Sequence, residues 1–229
     1  MTGYLHNKEL SLKKVLFLPA QGRLITLSSS LHHPRNVLHF WEIEESKIEK
    51  IKTTVLDSVE SEVVTMTIDI GKNVLMMGTS QGDIYQLHLW SFILDKEIIS
   101  HSNILDNIPE DHHEDPGEVV AIVPNSLNTD QVMIGYSAGF MMLWDTNTKS
   151  LLNILKSSNS LLDLCWRSED EFYSCHSDGS ISAWDAENGA QLQPPRTPYG
   201  PYPCRSIGKI YCRETETVKW SVFLSLIHI

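Results

Sequence analysis

Apolar residues in this chain come in short bursts separated by polar turns, not at helical spacing. Val15-Leu16-Phe17-Leu18, Leu24-Ile25-Thr26-Leu27 and Val37-Leu38-His39-Phe40-Trp41 open a series that continues through Val63-Val64-Thr65-Met66, Val74-Leu75-Met76-Met77 and Ile84-Tyr85-Gln86-Leu87. Bursts this short, bounded by Gly, Pro, Asn, Asp and Ser, read as strands. One stretch is ambiguous. Ile43, Ile48, Ile51 and Val55 fit one helical face, but the rhythm of the neighbours predicts an outer strand over Ile48 to Val55 with a turn at Glu45-Ser46.

The bursts repeat. Ser137-Ala138-Gly139-Phe140-Met141-Met142-Leu143-Trp144-Asp145 returns as Ser177-Asp178-Gly179-Ser180-Ile181-Ser182-Ala183-Trp184-Asp185, and Trp144 to Trp184 is 40 residues. A tight turn, an apolar run and Trp-Asp at that period are the signature of a propeller blade, which takes about 40–45 residues. Asp178-Gly179 and Asn188-Gly189 suit hairpins that need positive φ. The expected fold is therefore all-β: a partial WD40-type β-propeller with four blades and part of a fifth, an arc of a larger ring. Blades are expected over about 11–56, 62–95, 117–157 and 160–193. Trp41, Gly82, Gly139, Trp144, Asp145, Asp178, Gly179, Trp184 and Asp185 hold the repeating blade positions, and Leu87 stands where the second blade should carry tryptophan. Gly82 to Gly139 is 17 residues longer than the clean spacing. The excess falls in Ile98 to Pro116, expected as a surface loop with one helical turn near Ile104. Residues 190–223 read as a proline-rich loop (Pro194 to Pro203) followed by strands at Ile207 to Tyr211 and Lys219 to Phe223, the start of a fifth blade.

Charge and candidate chemistry narrow the function. The formal net charge is −11, which argues against broad nucleic-acid backbone binding, since that needs a basic stripe. Cys165, Cys175, Cys204 and Cys212 lack metal or redox spacing and read as small core residues. No signal peptide or membrane-spanning run is evident, which points to the cytoplasm. His112 and His113, with Asp111, Glu114 and Asp115, offer metal-ligand chemistry, but neighbours on a loop point apart, so no metal site is expected. His176-Ser177-Asp178 holds the residue types of a catalytic triad without its geometry. Arg23, Arg35, Arg167, Arg196, Arg205 and Arg213 are available to a GTPase activator, with nothing to separate them. The tryptophans read as core, with Trp166 half-buried after an inner strand, and the aromatics Tyr199 and Tyr202 in the proline-rich loop are weak candidates for contact with a partner. No catalytic, cofactor or metal residue is assigned.

Several of these stretches resemble the lethal giant larvae family. The residues that carry the resemblance are Phe17 to Leu27, Leu38-His39-Phe40-Trp41-Glu42-Ile43, Ile134 to Gly139, Ser174 to Ser180 and above all Pro198-Tyr199-Gly200-Pro201-Tyr202-Pro203-Cys204-Arg205-Ser206-Ile207-Gly208-Lys209-Ile210. The resemblance implies part of the first of two propellers in a non-enzymatic scaffold of the cytoplasm and cell cortex. It implies control of cell polarity and polarised exocytosis, and binding of syntaxin-type SNAREs, non-muscle myosin II and the Par6–atypical protein kinase C module. The alternative it leaves is a GTPase activator in secretion. The basic serine-rich loop through which that family meets kinase and membrane has no counterpart here, so no phosphosite or lipid contact is carried over. Residues 224–229 depart from the family pattern and read as a non-native tail of the kind a sequencing adaptor encodes.

Overall fold

A computed structural model of the chain describes residues 10–18, 21–30, 36–44, 47–108, 113–198, 200–212 and 217–224. Four four-stranded antiparallel sheets follow one another, each with its strands in sequence order. The first holds β1 (Leu10–Leu18), β2 (Arg23–Ser30), β3 (Asn36–Glu44) and β4 (Lys47–Val55). The second holds β5 (Val63–Asp69), β6 (Val74–Thr79), β7 (Ile84–His88) and the short β8 (Ile93–Leu94). A helical turn, α1 (Ser102–Leu105), interrupts the long connection to the third sheet. That sheet is β9 (Val119–Pro124), β10 (Gln131–Tyr136), β11 (Phe140–Asp145) and β12 (Ser150–Lys156). The fourth is β13 (Leu161–Trp166), β14 (Glu171–His176), β15 (Ile181–Asp185) and β16 (Gln191–Arg196). A hairpin of β17 (Cys204–Cys212) and β18 (Thr217–Leu224) comes last. This is the arc of an antiparallel propeller, and the ambiguous stretch after Glu44 is the strand β4.

Each sheet is buried on both faces where a neighbour lies on either side, which is why β6 has no exposed residue. Leu18, Ile25, Leu38 and Phe40 of the first sheet pack with Met66, Leu75, Met77 and Leu87 of the second. Val74, Met76 and Ile84 pack with Val132, Ile134, Tyr136 and Trp144 of the third. Met133, Met141 and Leu143 then pack with Leu164, Phe172 and Trp184 of the fourth. The seams close most tightly where a second strand meets the first strand of the next sheet. A Cβ on Gly78 would lie 2.6 Å from Val119 Cγ1, and one on Gly135 would lie 2.4 Å from Leu161 Cδ2. The same register position in the fourth sheet is Cys175, whose Sγ lies 2.8 Å from the carbonyl oxygen of Cys204.

Two details differ from the sequence reading. Gln191–Arg196, which begins in the blade expected to end at 193 and runs on into the expected proline-rich loop, pairs with β15 as the outer strand of the fourth sheet. Pro194 and Pro195 fit there because an edge strand has one side with no ladder to donate to. Trp166 is the last residue of β13 and is buried, its indole N–H donating to Val123 O at 2.8 Å. Residues 225–229, at the end of the expected tail, lie outside the described residues.

Because strand direction alternates, the turns joining first to second and third to fourth strands share one end of the arc, here the lower end. The remaining turns and the connections between sheets lie at the upper end.

Candidate interaction surface

The repeating positions divide between core and turns. Trp184 is buried with its indole N–H donating to Ser174 Oγ at 2.7 Å, and that hydroxyl lies 2.8 Å from His176 Nε2. The other imidazole nitrogen, Nδ1, lies 3.4 Å from Ser157 Oγ. Trp41 donates in the same way to Thr26 Oγ1 at 3.1 Å. Trp144 packs at the same register against Val132, as Trp184 does against Phe172, and Leu87 takes the equivalent place opposite Leu75. Asp145 Oδ1 accepts the backbone N–H groups of Asn147 and Thr148, both at 2.8 Å, which holds its carboxyl below the usual range. Asp185 Oδ1 accepts the backbone N–H groups of Glu187 and Asn188, both at 3.0 Å. These aspartates therefore fold the turns after their tryptophans.

Gly82, Gly139 and Gly179 sit in the upper turns with positive φ. At Gly179 (φ 83°) a Cβ would also lie 2.4 Å from Gly200 O and 2.5 Å from Tyr202 O, so the proline-rich segment is laid directly over the Asp178-Gly179 turn. Asp178 Oδ1 accepts from the Ser180 N–H at 3.0 Å, and its other oxygen accepts from Asn159 Nδ2 at 2.8 Å. Tyr202 is 59% exposed on this upper end, while Tyr199 lies outside the described residues.

The long connection between the second and third sheets builds the rest of the upper end. Ile99 pairs with Ile84 across an isolated bridge, and Ile104 of α1 is fully buried in the seam. A cleft of about 620 Å³ opens between this connection and the third sheet, lined by Asn107, Ile108, Glu114, Phe140, Leu151 and Lys156 among others. Lys156 closes one side: its ammonium lies 3.8 Å from the Phe140 ring centroid, 2.9 Å from Glu114 Oε2 and 2.6 Å from Ala138 O. A second hollow, of about 520 Å³, is lined by Ser80, Gln81, His101, Leu105, His113 and Gly117 among others. Beneath it, His101 Nδ1 lies 3.5 Å from Asp83 Oδ1. Neither atom, nor the fully buried hydroxyl of Tyr136, has a hydrogen-bond partner among the described residues. Burial pushes the Tyr136 phenol up, and the Asp83 carboxylate adds to the shift. Clefts with mixed apolar floors and polar lips suit segments of other proteins.

The catalytic readings do not assemble. His176 is buried among hydroxyls, and burial lowers its pKa; Asp178 turns to Ser180 and Asn159. His113 Nε2 meets Ile108 O at 3.0 Å, Glu114 pairs with Lys156, and Asp115 Oδ1 accepts the Gly117 N–H at 2.9 Å. Asp111 and His112 lie outside the described residues, and no group of three metal-ligating side chains occurs among those described. Arg167 is paired with Glu171 at 2.9 Å, and Arg35 and Arg213 lie outside the described residues. Sequence reasoning missed the Lys156–Glu114 contact and the Asp83–His101–Tyr136 group, because both join residues far apart in the chain, through the connection between the second and third sheets. No helix among the described residues is long and apolar enough to cross a membrane.

No protein-family model matches the chain. Curated relatives do. The lethal(2) giant larvae protein of Drosophila pseudoobscura pseudoobscura is 32% identical over 94% of this chain and 18% of its own length. The lethal(2) giant larvae protein homolog 1 of Mus musculus is 30% identical over 93% of this chain and 22% of its own length. The human LLGL scribble cell polarity complex component 2 is 28% identical over 90% and 21% respectively. The chain thus spans about a fifth of the length of the curated relatives it matches. Among solved structures, that of U3-55K superposes with a TM-score of 0.62 at 14% identity, over 83% of this chain and 52% of that one, a likeness that speaks for the fold alone.

Proposed function

From its homology to the lethal giant larvae proteins, which runs over about 93% of the chain, we propose that this propeller arc is a non-enzymatic scaffold for protein partners in cell polarity and polarised exocytosis. The extent of that match, over nearly the whole chain, carries the reading. The partners proposed are syntaxin-type SNAREs, non-muscle myosin II and the Par6–atypical protein kinase C module, met at the cell cortex. The upper end, with its two clefts and exposed Tyr202, is the surface proposed to receive them. Tyr202 and Tyr199 are the contacts to test.

The arc is proposed to work inside a larger ring. Leu12, Val15 and Phe17 of β1 are 60%, 50% and 56% exposed on the face where every other sheet meets a neighbour. A further sheet packed there covers them.

Purified syntaxin, myosin II tail and Par6–kinase module, each titrated against the chain, test the reading. Saturable binding of at least one, weakened by Tyr202→Ala, is the expected result. Binding of none sinks it. Faster GTP hydrolysis by a small secretory GTPase at catalytic amounts of the chain replaces it with the activator reading.

A further inference from the structure

The lower end of the second and third sheets shows large apolar side chains at turn tips, where turns ordinarily carry polar residues. Ile70 and Trp90 are each 78% exposed and Leu127 is 64% exposed. Their turns are contiguous. The Leu89 N–H donates to Asn73 O at 3.1 Å, joining the Trp90 turn to the Ile70 turn. A Cβ on Gly71 would lie 3.5 Å from Thr129 Cγ2, and Lys72 pairs with Asp130 at 3.0 Å, joining the Ile70 turn to the Leu127 turn.

Each turn is also held rigid by its own device. Asp69 Oδ1 accepts the Lys72 N–H at 3.1 Å. Asn125 Oδ1 accepts the N–H groups of Leu127 and Asn128 at 3.1 and 3.2 Å, and Asn125 Nδ2 donates to Glu169 O at 2.7 Å. Phe92 takes φ 56°, which aromatic residues rarely adopt, and its ring stands edge-on to Phe40 with centroids 4.7 Å apart. Phe92 is half-buried against the core between the first two sheets, while Trp90 in the same turn faces outward. Three apolar tips on pre-set turns lose little freedom when something covers them, and tryptophan is a frequent anchor of interfaces.

The charge beside the Ile70 and Leu127 turns is negative; on the far side of the Trp90 turn Lys52 stands over the Phe92 ring, 5.9 Å from its centroid. Lys72, Lys149 and Arg167 are already paired, with Asp130, with Asp95 and Glu97, and with Glu171. Exposed Glu169 and Asp170 follow Arg167 on the neighbouring turn, and Asp145 lies beyond Lys72. We infer that the Ile70, Trp90 and Leu127 turns form a docking surface for a polypeptide segment that mixes large apolar residues with lysine or arginine. An anionic bilayer meets repulsion from the acidic turns, and a second copy of a chain with net charge −11 meets the same. This surface is at the opposite end from the clefts and does not depend on which partners those hold.

The test titrates the 229-residue chain into a labelled amphipathic peptide of leucine and lysine, and into a matched peptide of leucine and glutamate. The leucine–lysine peptide is expected to bind, to weaken as salt is raised, and to protect backbone amides of residues 70–73, 89–92 and 125–130 from hydrogen exchange. Trp90→Ser combined with Leu127→Ser weakens it by about tenfold or more, while Leu192→Ser, an exposed change on the fourth sheet, leaves it unaltered. Equal affinity for the leucine–glutamate peptide, protection elsewhere, no binding, or undiminished binding by the double variant each overturns the proposal. Trp90-dependent binding to phosphatidylserine vesicles, or Trp90-dependent self-association in sedimentation, overturns it in favour of a membrane or a second copy.

Discussion

The third and fourth sheets carry the same sequence signature at the same register, yet they are built differently inside. In the fourth, Trp184 sits over Ser174, and a relay of hydrogen bonds runs on through His176 to Ser157. In the third, Ile134 takes the place of Ser174 and Tyr136 that of His176, so Trp144 rests on an apolar wall. The Tyr136 hydroxyl is buried there with no hydrogen-bond partner among the described residues. The blade is thus set by the volume and position of tryptophan. The polar relay is a second layer, which fixes register where present and strands polar atoms when cut.

Substitutions can break that comparison. Trp184→Ala is expected to cost the most, about 3–5 kcal/mol for the lost aromatic core, and more than Trp144→Ala in parallel urea unfolding, because Ser174 and His176 lose a partner as well. Ser174→Ala should cost about 1–3 kcal/mol by leaving the Trp184 N–H and His176 unsatisfied; Ile134→Val, its counterpart, about 0.5–1.5 kcal/mol. A reversed order would show that the relay adds nothing to packing. Gly135→Cys makes the third seam like the fourth and forces atoms against Leu161, at about 1–3 kcal/mol, visible as a lower denaturation midpoint with an unchanged slope.

The relay also predicts a pH response. Burial lowers the pKa of His176 in the folded chain, so the unfolded chain takes up the proton first. Its contribution is full above about pH 6.5 and is lost as pH falls through that value toward the lower folded pKa. His39 is shifted the same way, by burial and then by Lys50, so the informative quantity is the difference between the chain and His176→Gln. Identical melting profiles from pH 7.5 to 5.5, to be measured at about these values, would remove His176 from the account. The smallest effect is expected at Tyr136→Phe, which deletes a hydroxyl with no partner among the described residues and should be neutral or stabilising by about 1 kcal/mol or less.

Much of the fold was legible because it is local. Strand alternation and the 40-residue period place pairings within one sheet, and Leu87 could be recognised as a stand-in for tryptophan from its distance to Gly82 alone. The outer strand Gln191–Arg196 was legible only in part: Asn188-Gly189 announces its hairpin and the blade expected over 160–193 takes in its start, but Pro194-Pro195 speaks for a loop until the edge position of the strand is known. The seam contacts were hidden for a different reason. Gly78, Gly135 and Cys175 share one position in the repeat, but the residues they meet come from the next sheet and leave no spacing signal. The docking turns followed the same rule: Ile70, Trp90 and Leu127 are far apart in the chain and read singly as ordinary exposed residues.

The strictly sequential strand order has a consequence for synthesis. Each four-stranded sheet is complete once its own strands, joined mostly by short turns, have emerged. The entropy of closing each loop is correspondingly small. A nascent chain leaving the ribosome can therefore finish one sheet before the next is translated, and each new first strand finds an apolar face already waiting. Growth proceeds from the N-terminal side in quanta of one sheet, and a chain that has cleared the ribosome as far as Arg196 holds these four sheets finished.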